Sequence, residues 1–254
     1  MPHGSALLML TLLLSACSSD GAPSPGDEAR DASVADAAQL ADGGAPGLDA
    51  ASADAAPVDL RPATSLDRFA TRVVSFVPGP CAGFGADRMP NTVLGPPEGG
   101  GTLQGGLDVL SLGTGGTIVL SFEANPIVNG PGPDLLVFEN PFYRGGDPAD
   151  AFVEPAEVSV SDDGASWKVF ACDAAKAPFA GCAGIAPVLS ASTNTRPATD
   201  PAQAGGDAFD LETTGLTRAR FVRIVDRTHE ACGAGGRTNG FDLDAVASVH
   251  AERP

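Results

Sequence analysis

The chain has 254 residues, and its 32 acidic residues outnumber its 15 Lys and Arg residues, which gives a net charge of −17. No basic surface is available to neutralise nucleic-acid phosphates or anionic lipid headgroups, so nucleic-acid binding is excluded. The 32 Gly and 22 Pro residues disfavour long helices and favour many short strands joined by turns, which excludes a helical bundle. The only His residues are His3, His229 and His250, too few for a multi-histidine zinc centre, since we expect the segment with His3 to be removed.

The amino-terminal segment has the features of an export signal. Residues 6–14 form an apolar run, shorter than the ~20 residues that a membrane-spanning helix needs. The following Leu14-Ser15-Ala16-Cys17 resembles the lipobox of bacterial lipoproteins. This resemblance implies a signal peptide over residues 1–16, a lipid on Cys17 and an exported protein anchored to the bacterial envelope, at the outer membrane or cell surface. Residues 1–5 lack the Lys or Arg that is usual in such signals, and an ordinary cleaved signal with a chance Cys is the alternative.

Residues 17–64 are predicted to form a disordered tether. They consist mainly of Ala, Asp, Gly, Pro and Ser and cannot bury enough apolar surface to offset the conformational entropy lost on folding. Nine acidic and two basic residues between positions 18 and 61 give this segment a net charge of −7, and like charges extend a chain. We therefore expect a single folded domain over residues 65–254, held away from the membrane.

Four cysteines remain after Cys17, and disulfides are expected in an exported chain. Cys172 and Cys182 bracket a ten-residue step rich in Ala, Pro and Gly, which indicates a loop closed by its own disulfide. Cys81 would then pair with Cys232. A four-cysteine zinc site is the alternative, and the lack of any Cys-x-x-Cys spacing disfavours it.

The remaining sequence predicts short strands separated by Gly- and Pro-rich turns. The predicted strands are 72–77, 107–112, 117–123, 134–139, 156–161, 166–171, 219–226 and 241–250. No helical pattern of ten or more residues alternates with them, so a parallel α/β fold is disfavoured. We expect an all-β domain in which two antiparallel sheets pack as a β-sandwich of the jelly-roll type.

Two segments carry a family resemblance. Residues 157–167 (EVSVSDDGASW) and 219–224 (ARFVRI) resemble strands of discoidin-type, galactose-binding-like jelly rolls. Here Asp-Gly supplies a tight hairpin turn, after which Trp167 packs across the strand pair. Three more segments, at 134–142, 205–211 and 239–246, are similar to a group of bacterial cell-surface proteins. The resemblance spans roughly residues 72 to 250 and implies a fold and a surface location more than an activity.

The pattern Phe-Asp-Leu-acidic occurs twice, at 209–212 and 241–244. In a strand, Asp242 and Asp244 would share one face about 6.5–7 Å apart, a separation that a cation can bridge. Oxygen ligands in Gly-rich loops suit Ca²⁺. We therefore predict one structural Ca²⁺, held by some of five acidic residues: Asp134, Glu139, Asp207, Asp242 and Asp244. The alternative is a solvated acidic face whose Asp residues serve turns and caps.

The segment 140–146 is the candidate ligand contact. Phe142, Tyr143 and Arg144 place two aromatic rings and a guanidinium group in a loop after a strand, and such loops commonly bind a sugar or a protein. The alternative is that Phe142 closes the end of the core and Tyr143 covers it. The chain has no Gly-x-Ser-x-Gly elbow and no phosphate-binding Lys-Ser/Thr, so no catalytic residue is assigned.

These features favour a non-enzymatic module, displayed on the surface, that binds a glycan or an envelope protein. A Ca²⁺-dependent adhesion or matrix component is the second hypothesis. A carbohydrate-active hydrolase that uses paired carboxylates is the third. In each case, membrane contact is expected through the lipid anchor only.

Overall fold

The structure, a computed structural model, describes residues 67–229 and 239–252. Within these ranges the strands pair antiparallel throughout, and the helices are four single turns of 3-10 type. The predicted all-β class is therefore confirmed. The signal segment 1–16, Cys17, the tether 17–64 and Cys232 lie outside the described residues.

The described residues form fourteen strands. In chain order they are β1 (Arg72–Val77), β2 (Leu110–Ser111), β3 (Thr117–Ser121), β4 (Ile127–Val128), β5 (Leu135–Phe138), β6 (Phe142–Tyr143), β7 (Ala151–Phe152), β8 (Ala156–Ser161), β9 (Lys168–Val169), β10 (Asp207–Phe209), β11 (Arg218–Ala219), β12 (Phe221–Asp226), β13 (Asp242–Leu243) and β14 (Ala245–Ser248). The 3-10 turns are Ala86–Arg88, Asn91–Val93, Arg144–Gly146 and Leu211–Thr214.

The larger sheet has five strands in the order β1-β3-β12-β8-β9. Its central strand β12 alternates strictly between half-buried and buried residues. This alternation is typical of a sheet that has one face on a core and the other towards solvent. Val222 and Ile224 point inwards, while Arg223 lies on the outer face with its guanidinium carbon 4.4 Å from the ring centroid of Trp167.

The smaller sheet has three strands in the order β10-β5-β14. All four residues of its central strand β5 are buried. Leu135 and Val137 belong to the main core, which they share with inward residues of the larger sheet, and Leu136 and Phe138 belong to a second apolar cluster. Burial on both faces explains why β5 is a continuous apolar run rather than an alternating one.

Prediction and structure differ most at the carboxyl-terminal strand. β1 and β8 have the predicted bounds, but the strand predicted at 241–250 is two strands, β13 and β14, separated by Asp244. β13 pairs with β2, and β14 pairs with β5. Asp242 and Asp244 therefore do not share one face of a single strand. Four strands of two or three residues (β4, β6, β7 and β10) were not predicted, because such short elements leave no periodic pattern. The strand predicted at 219–226 covers β12 and the second residue of β11.

The predicted disulfide between Cys172 and Cys182 is confirmed. It closes the connection that follows β9. The predicted pairing of Cys81 with Cys232 stays a prediction, because Cys232 lies outside the described residues. None of the helices in the described ranges has the length and apolarity needed to cross a bilayer.

Candidate functional site

Three strand ends bring Glu139, Glu154 and Asp242 together. Glu139 directly follows β5, Glu154 lies between β7 and β8, and Asp242 begins β13. Each residue offers one carboxylate oxygen, and these three oxygens lie within 4.8 Å of one another. Among the described residues this is the one group of three or more acidic, His or Cys side chains with such spacing. We call these three residues the acidic cluster.

Hydrogen bonds satisfy only part of the acidic cluster. Glu139 Oε1 accepts from the Asp242 N–H at 3.3 Å, Asp242 Oδ2 accepts from Asn140 Nδ2 at 3.3 Å, and Glu154 Oε1 accepts from the Gly240 N–H at 2.8 Å. Glu139 Oε2 and Asp242 Oδ1 are buried and have no hydrogen-bond partner. Unsatisfied buried polar atoms are rare in native proteins and call for an explanation.

The backbone before Asp242 is shaped by Gly240. It has φ +99°, and a Cβ there would lie 2.8 Å from the carbonyl carbon of Gly113, so a side chain is excluded. Its N–H donates to Glu154, and the next N–H, of Phe241, donates to Asp226 Oδ1 at 2.8 Å. These contacts fix the approach of the chain to β13 and hence the position of the Asp242 carboxylate.

Burial makes the charged form of the acidic cluster costly. The pKa of Glu139 is raised well above its ordinary value, mainly by burial and then by the charges of Asp242 and Glu154. Burial is also the main reason that the pKa of Asp242 is raised to about 6. Within the described residues, no basic side chain forms an ion pair with Glu139 or Asp242. The cluster thus concentrates negative charge without a protein cation to balance it at these two residues.

Asp134, one of the five predicted cation ligands, has a different role. It is fully buried. Its Oδ1 accepts from the Gly130 N–H at 2.7 Å and lies 2.9 Å from His250 Nδ1, while its Oδ2 accepts from the Leu211 N–H at 2.7 Å. Both oxygens are occupied in holding the ends of β5 and β10 together.

Asp207 likewise serves the backbone. It accepts from the N–H groups of Gly184, Ile185 and Ala186 at 2.7, 3.0 and 3.3 Å. Burial raises its pKa to about 6 even though these three donors lower it. Asp207 anchors the segment after the Cys182 disulfide to β10 and is not a member of the acidic cluster.

Asp244 also lies outside the acidic cluster. Both of its oxygens accept from one donor, the Glu98 N–H, at 3.1 and 3.0 Å. Its pKa is raised to about 8, mainly by burial and to a smaller extent by the nearby charges of Asp108 and Glu98. Of the five predicted residues, the structure therefore brings only Glu139 and Asp242 together. It adds Glu154, which the sequence analysis did not name because its Pro-flanked connection shows no motif.

The predicted ligand loop is a short hairpin made of β6 and β7. Phe142 lies opposite Phe152, and their rings stack with centroids 5.3 Å apart. The Arg144 guanidinium carbon lies 5.4 Å from the Phe152 ring centroid, and Arg144 Nη1 forms a 2.7 Å ion pair with Asp150. The Tyr143 side chain is half-buried in β6. The hairpin therefore presents a supported aromatic ring with a cation over it.

This hairpin forms one wall of a cavity of about 410 Å³, which we call the hairpin cleft. The cleft is lined by Arg144, residues 151–155, Ala174, Ala175, Phe179, Thr228 and His229. Of the three predicted ligand-contact residues, Arg144 lines the cleft. Phe142 stacks against Phe152, which also lines it. Glu154 belongs to both the hairpin cleft and the acidic cluster, so the two candidate sites are neighbours.

Comparison with known proteins does not add a relative. No protein-family model matches the chain, and no curated protein is significantly similar to it. The geometry of the acidic cluster and of the hairpin cleft is therefore the basis for the functional inferences below.

Proposed function

We propose that this chain is an exported, non-enzymatic binding module, attached to the bacterial envelope by a lipid on Cys17 and displayed on the tether 17–64. Its folded domain is a two-sheet β-sandwich of the jelly-roll type. This domain binds a glycan in the hairpin cleft. A sandwich is supported by the main core, in which apolar residues of the five-stranded and three-stranded sheets are in one cluster.

The observation that carries the binding function is the composition of the hairpin cleft. Phe152 and Phe179 supply aromatic surface, on which the C–H face of a pyranose ring can stack. Arg144 supplies a planar set of N–H donors that matches neighbouring hydroxyl groups or a carboxylate. Because its ion pair with Asp150 is about half exposed and such pairs are weak, Arg144 can exchange this partner for a ligand at little cost.

The size of the cleft favours a glycan over a protein partner. A cavity of about 410 Å³ is in the range of small-molecule sites, whereas protein partners use broad and flatter surfaces. A wider cavity of about 610 Å³ lies beside Cys182 and Asp207. It is less suited to polar recognition, because the Asp207 carboxylate already accepts three backbone hydrogen bonds.

A glycan array probed with the purified full-length protein tests this function. We expect binding to a subset of pyranose-containing glycans, and we expect Arg144→Ala and Phe152→Ala to weaken it at least about tenfold. Arg88→Ala is the matched control, since Arg88 also lies over an aromatic ring, Phe84, at 5.5 Å but does not line the cleft. Equal loss in the control, or binding that survives both cleft substitutions, would exclude the hairpin cleft as the binding site.

A Ca²⁺-dependent adhesion or matrix component is the second candidate, and the acidic cluster favours it. Repeating the array in the presence of a chelator separates the two functions, because only adhesion should require the cation. A hydrolase is not favoured. Glu139 Oε2 and Asp242 Oδ1 are buried, whereas the paired carboxylates of a glycosidase must reach the scissile bond of a bound substrate.

A further inference from the structure

We infer that Glu139, Glu154 and Asp242 form a calcium site, with a ligand set that differs from the one expected from sequence. The site joins residues next to β5, β7 and β13, and Asp242 is far along the chain from Glu139 and Glu154. This inference does not depend on glycan binding, so either can fail without the other.

Two carboxylate oxygens of the acidic cluster are buried without a hydrogen-bond partner. The side chain of Glu139 is 1% exposed, yet its Oε2 has no hydrogen-bond partner, and the same holds for the buried Asp242 Oδ1. Elsewhere in the described structure, buried carboxylates such as Asp134 and Asp226 have both oxygens engaged. A fold that supplies donors to those carboxylates leaves one oxygen unengaged on each of two adjacent carboxylates in the acidic cluster. A bound cation would be coordinated by oxygens of this kind.

The chemistry of the ligands selects the cation. All three side chains are carboxylates, and oxygen ligands suit hard cations such as Ca²⁺, Mg²⁺ and Mn²⁺ rather than zinc or copper. Mg²⁺ dehydrates reluctantly and usually keeps several waters, whereas Ca²⁺ accepts six to eight protein oxygens in flexible geometry. Because Glu139 Oε2 and Asp242 Oδ1 are enclosed, the site favours the cation that gives up its water more readily, which is Ca²⁺.

One other arrangement would satisfy the same oxygens. If Glu139 or Asp242 were protonated, its hydroxyl hydrogen could bridge to a neighbouring carboxylate, and no cation would be needed. Replacing a carboxyl side chain by a neutral amide distinguishes the two arrangements. An amide at position 139 retains a donor, and so can replace a carboxylic acid, but it removes a negative charge that a cation requires.

The test is calorimetric titration of the purified full-length protein with CaCl₂ after treatment with a chelator, followed by thermal unfolding. We expect one Ca²⁺ per chain and a rise in melting temperature, since a ligand at 100 times its Kd raises the folding equilibrium constant about 100-fold. Mg²⁺ should bind at least about tenfold more weakly. Absence of heat and of any melting shift with Ca²⁺, Mg²⁺ and Mn²⁺ would overturn the inference.

Variants assign the site. Glu139→Gln and Asp242→Asn should each weaken Ca²⁺ binding at least about tenfold, whereas the matched control Asp244→Asn, a buried carboxylate outside the cluster, should bind as the original protein does. If Glu139→Gln or Asp242→Asn does not fold, anomalous diffraction from crystals of the original protein soaked in MnCl₂ gives the position directly. A peak at any other place, or unchanged affinity in Glu139→Gln, contradicts the site.

Discussion

Two groups of carboxylates in this protein are buried but differ in their hydrogen bonds: in one group both oxygens of each carboxylate accept them, and in the other one oxygen does not. Asp134 and Asp226 are 0% and 1% exposed, and both oxygens of each accept hydrogen bonds. Glu139 is equally buried at 1%, but one of its oxygens has no hydrogen-bond partner, as is also true of Asp242. Burial alone therefore does not distinguish a structural carboxylate from a candidate ligand, but the pattern of donors around it does.

The difference shows which residues hold the fold together. Asp226 accepts from the N–H groups of Gly115, Thr228 and Phe241 and from the Thr228 hydroxyl, so it ties the turn at Gly115 and the segment before β13 to the end of β12. Glu139 Oε1 accepts from the Asp242 N–H at 3.3 Å, slightly longer than is usual for such a hydrogen bond. Hydrogen bonds offset the desolvation of the first group, whereas in the second group Glu139 Oε2 and Asp242 Oδ1 have no hydrogen-bond partner.

The largest expected effect is on the first group. Asp226→Ala would leave the buried N–H groups of Thr228 and Phe241 and the Thr228 hydroxyl without their acceptor, and each unsatisfied buried donor costs roughly 1–3 kcal/mol. We expect the free energy of unfolding to fall by about 4 kcal/mol or more, measured by chemical denaturation in the presence of a chelator. A loss below about 1 kcal/mol would show that these contacts do not stabilise the fold and that Asp226 is not a structural carboxylate.

The pH dependence of stability gives the next largest effect, through Asp207. Its pKa is about 6 in the folded protein against an ordinary value of 3.8, so the folded state binds more protons than the unfolded state between these values. The free energy of unfolding should therefore fall as the pH rises from about 4 to about 6. The contribution of this residue is on the order of 3 kcal/mol.

Denaturation of the original protein and of Asp207→Asn at several pH values measures this contribution. The asparagine side chain does not titrate, so the difference in unfolding free energy between the two proteins should change across this window and be constant above about pH 7. A constant difference from pH 4 to 7 would mean that the three backbone donors around Asp207 fully compensate its burial.

For Glu139, in the second group, we expect a smaller change in the free energy of unfolding, and in the opposite direction. In the presence of a chelator, Glu139→Gln removes a charge that Asp242 and Glu154 disfavour and supplies an amide donor beside an unpartnered oxygen. We expect stability at pH 7 to stay constant or to rise by about 1 kcal/mol, again measured by chemical denaturation. A loss of several kcal/mol without any cation would place Glu139 among the structural carboxylates, with Asp226.

The fold class could be predicted from sequence because the long strands carry their own pattern. β12 alternates and β5 is a continuous apolar run, and both patterns follow directly from the faces that these strands bury. The short strands β4, β6, β7 and β10 could not be predicted, since two or three residues have no period. The break at Asp244 was missed because the alternating pattern continues through it, while the change of pairing partner from β2 to β5 is visible only in three dimensions.

The candidate site could be predicted only in part for a related reason. Glu139 and Asp242 flank recognisable strands, so their residue type and position suggested a role. Glu154 lies in a three-residue connection between β7 and β8, and its approach to Asp242 depends on the Gly240 N–H contact rather than on any local spacing. The donors around Asp134 and Asp207 come from remote turns, so sequence reasoning could not tell that these carboxylates were already engaged.

Asp244 lies between the two groups and gives the finest test of the comparison. It is 3% exposed, and both oxygens share a single donor, the Glu98 N–H. Its pKa is raised from 3.8 to about 8; below about pH 4 the carboxyl group is protonated in both the folded and the unfolded state, so Asp244→Asn should change the unfolding free energy there by less than about 1 kcal/mol. As the pH rises from about 4 to about 8, the unfolded state loses this proton while the folded state keeps it, so the original protein should lose stability relative to the variant, and the difference should be constant above about pH 8. If the variant instead loses stability increasingly with pH, the single donor is enough to stabilise a buried charge, and counting donors would no longer separate structural carboxylates from candidate cation ligands.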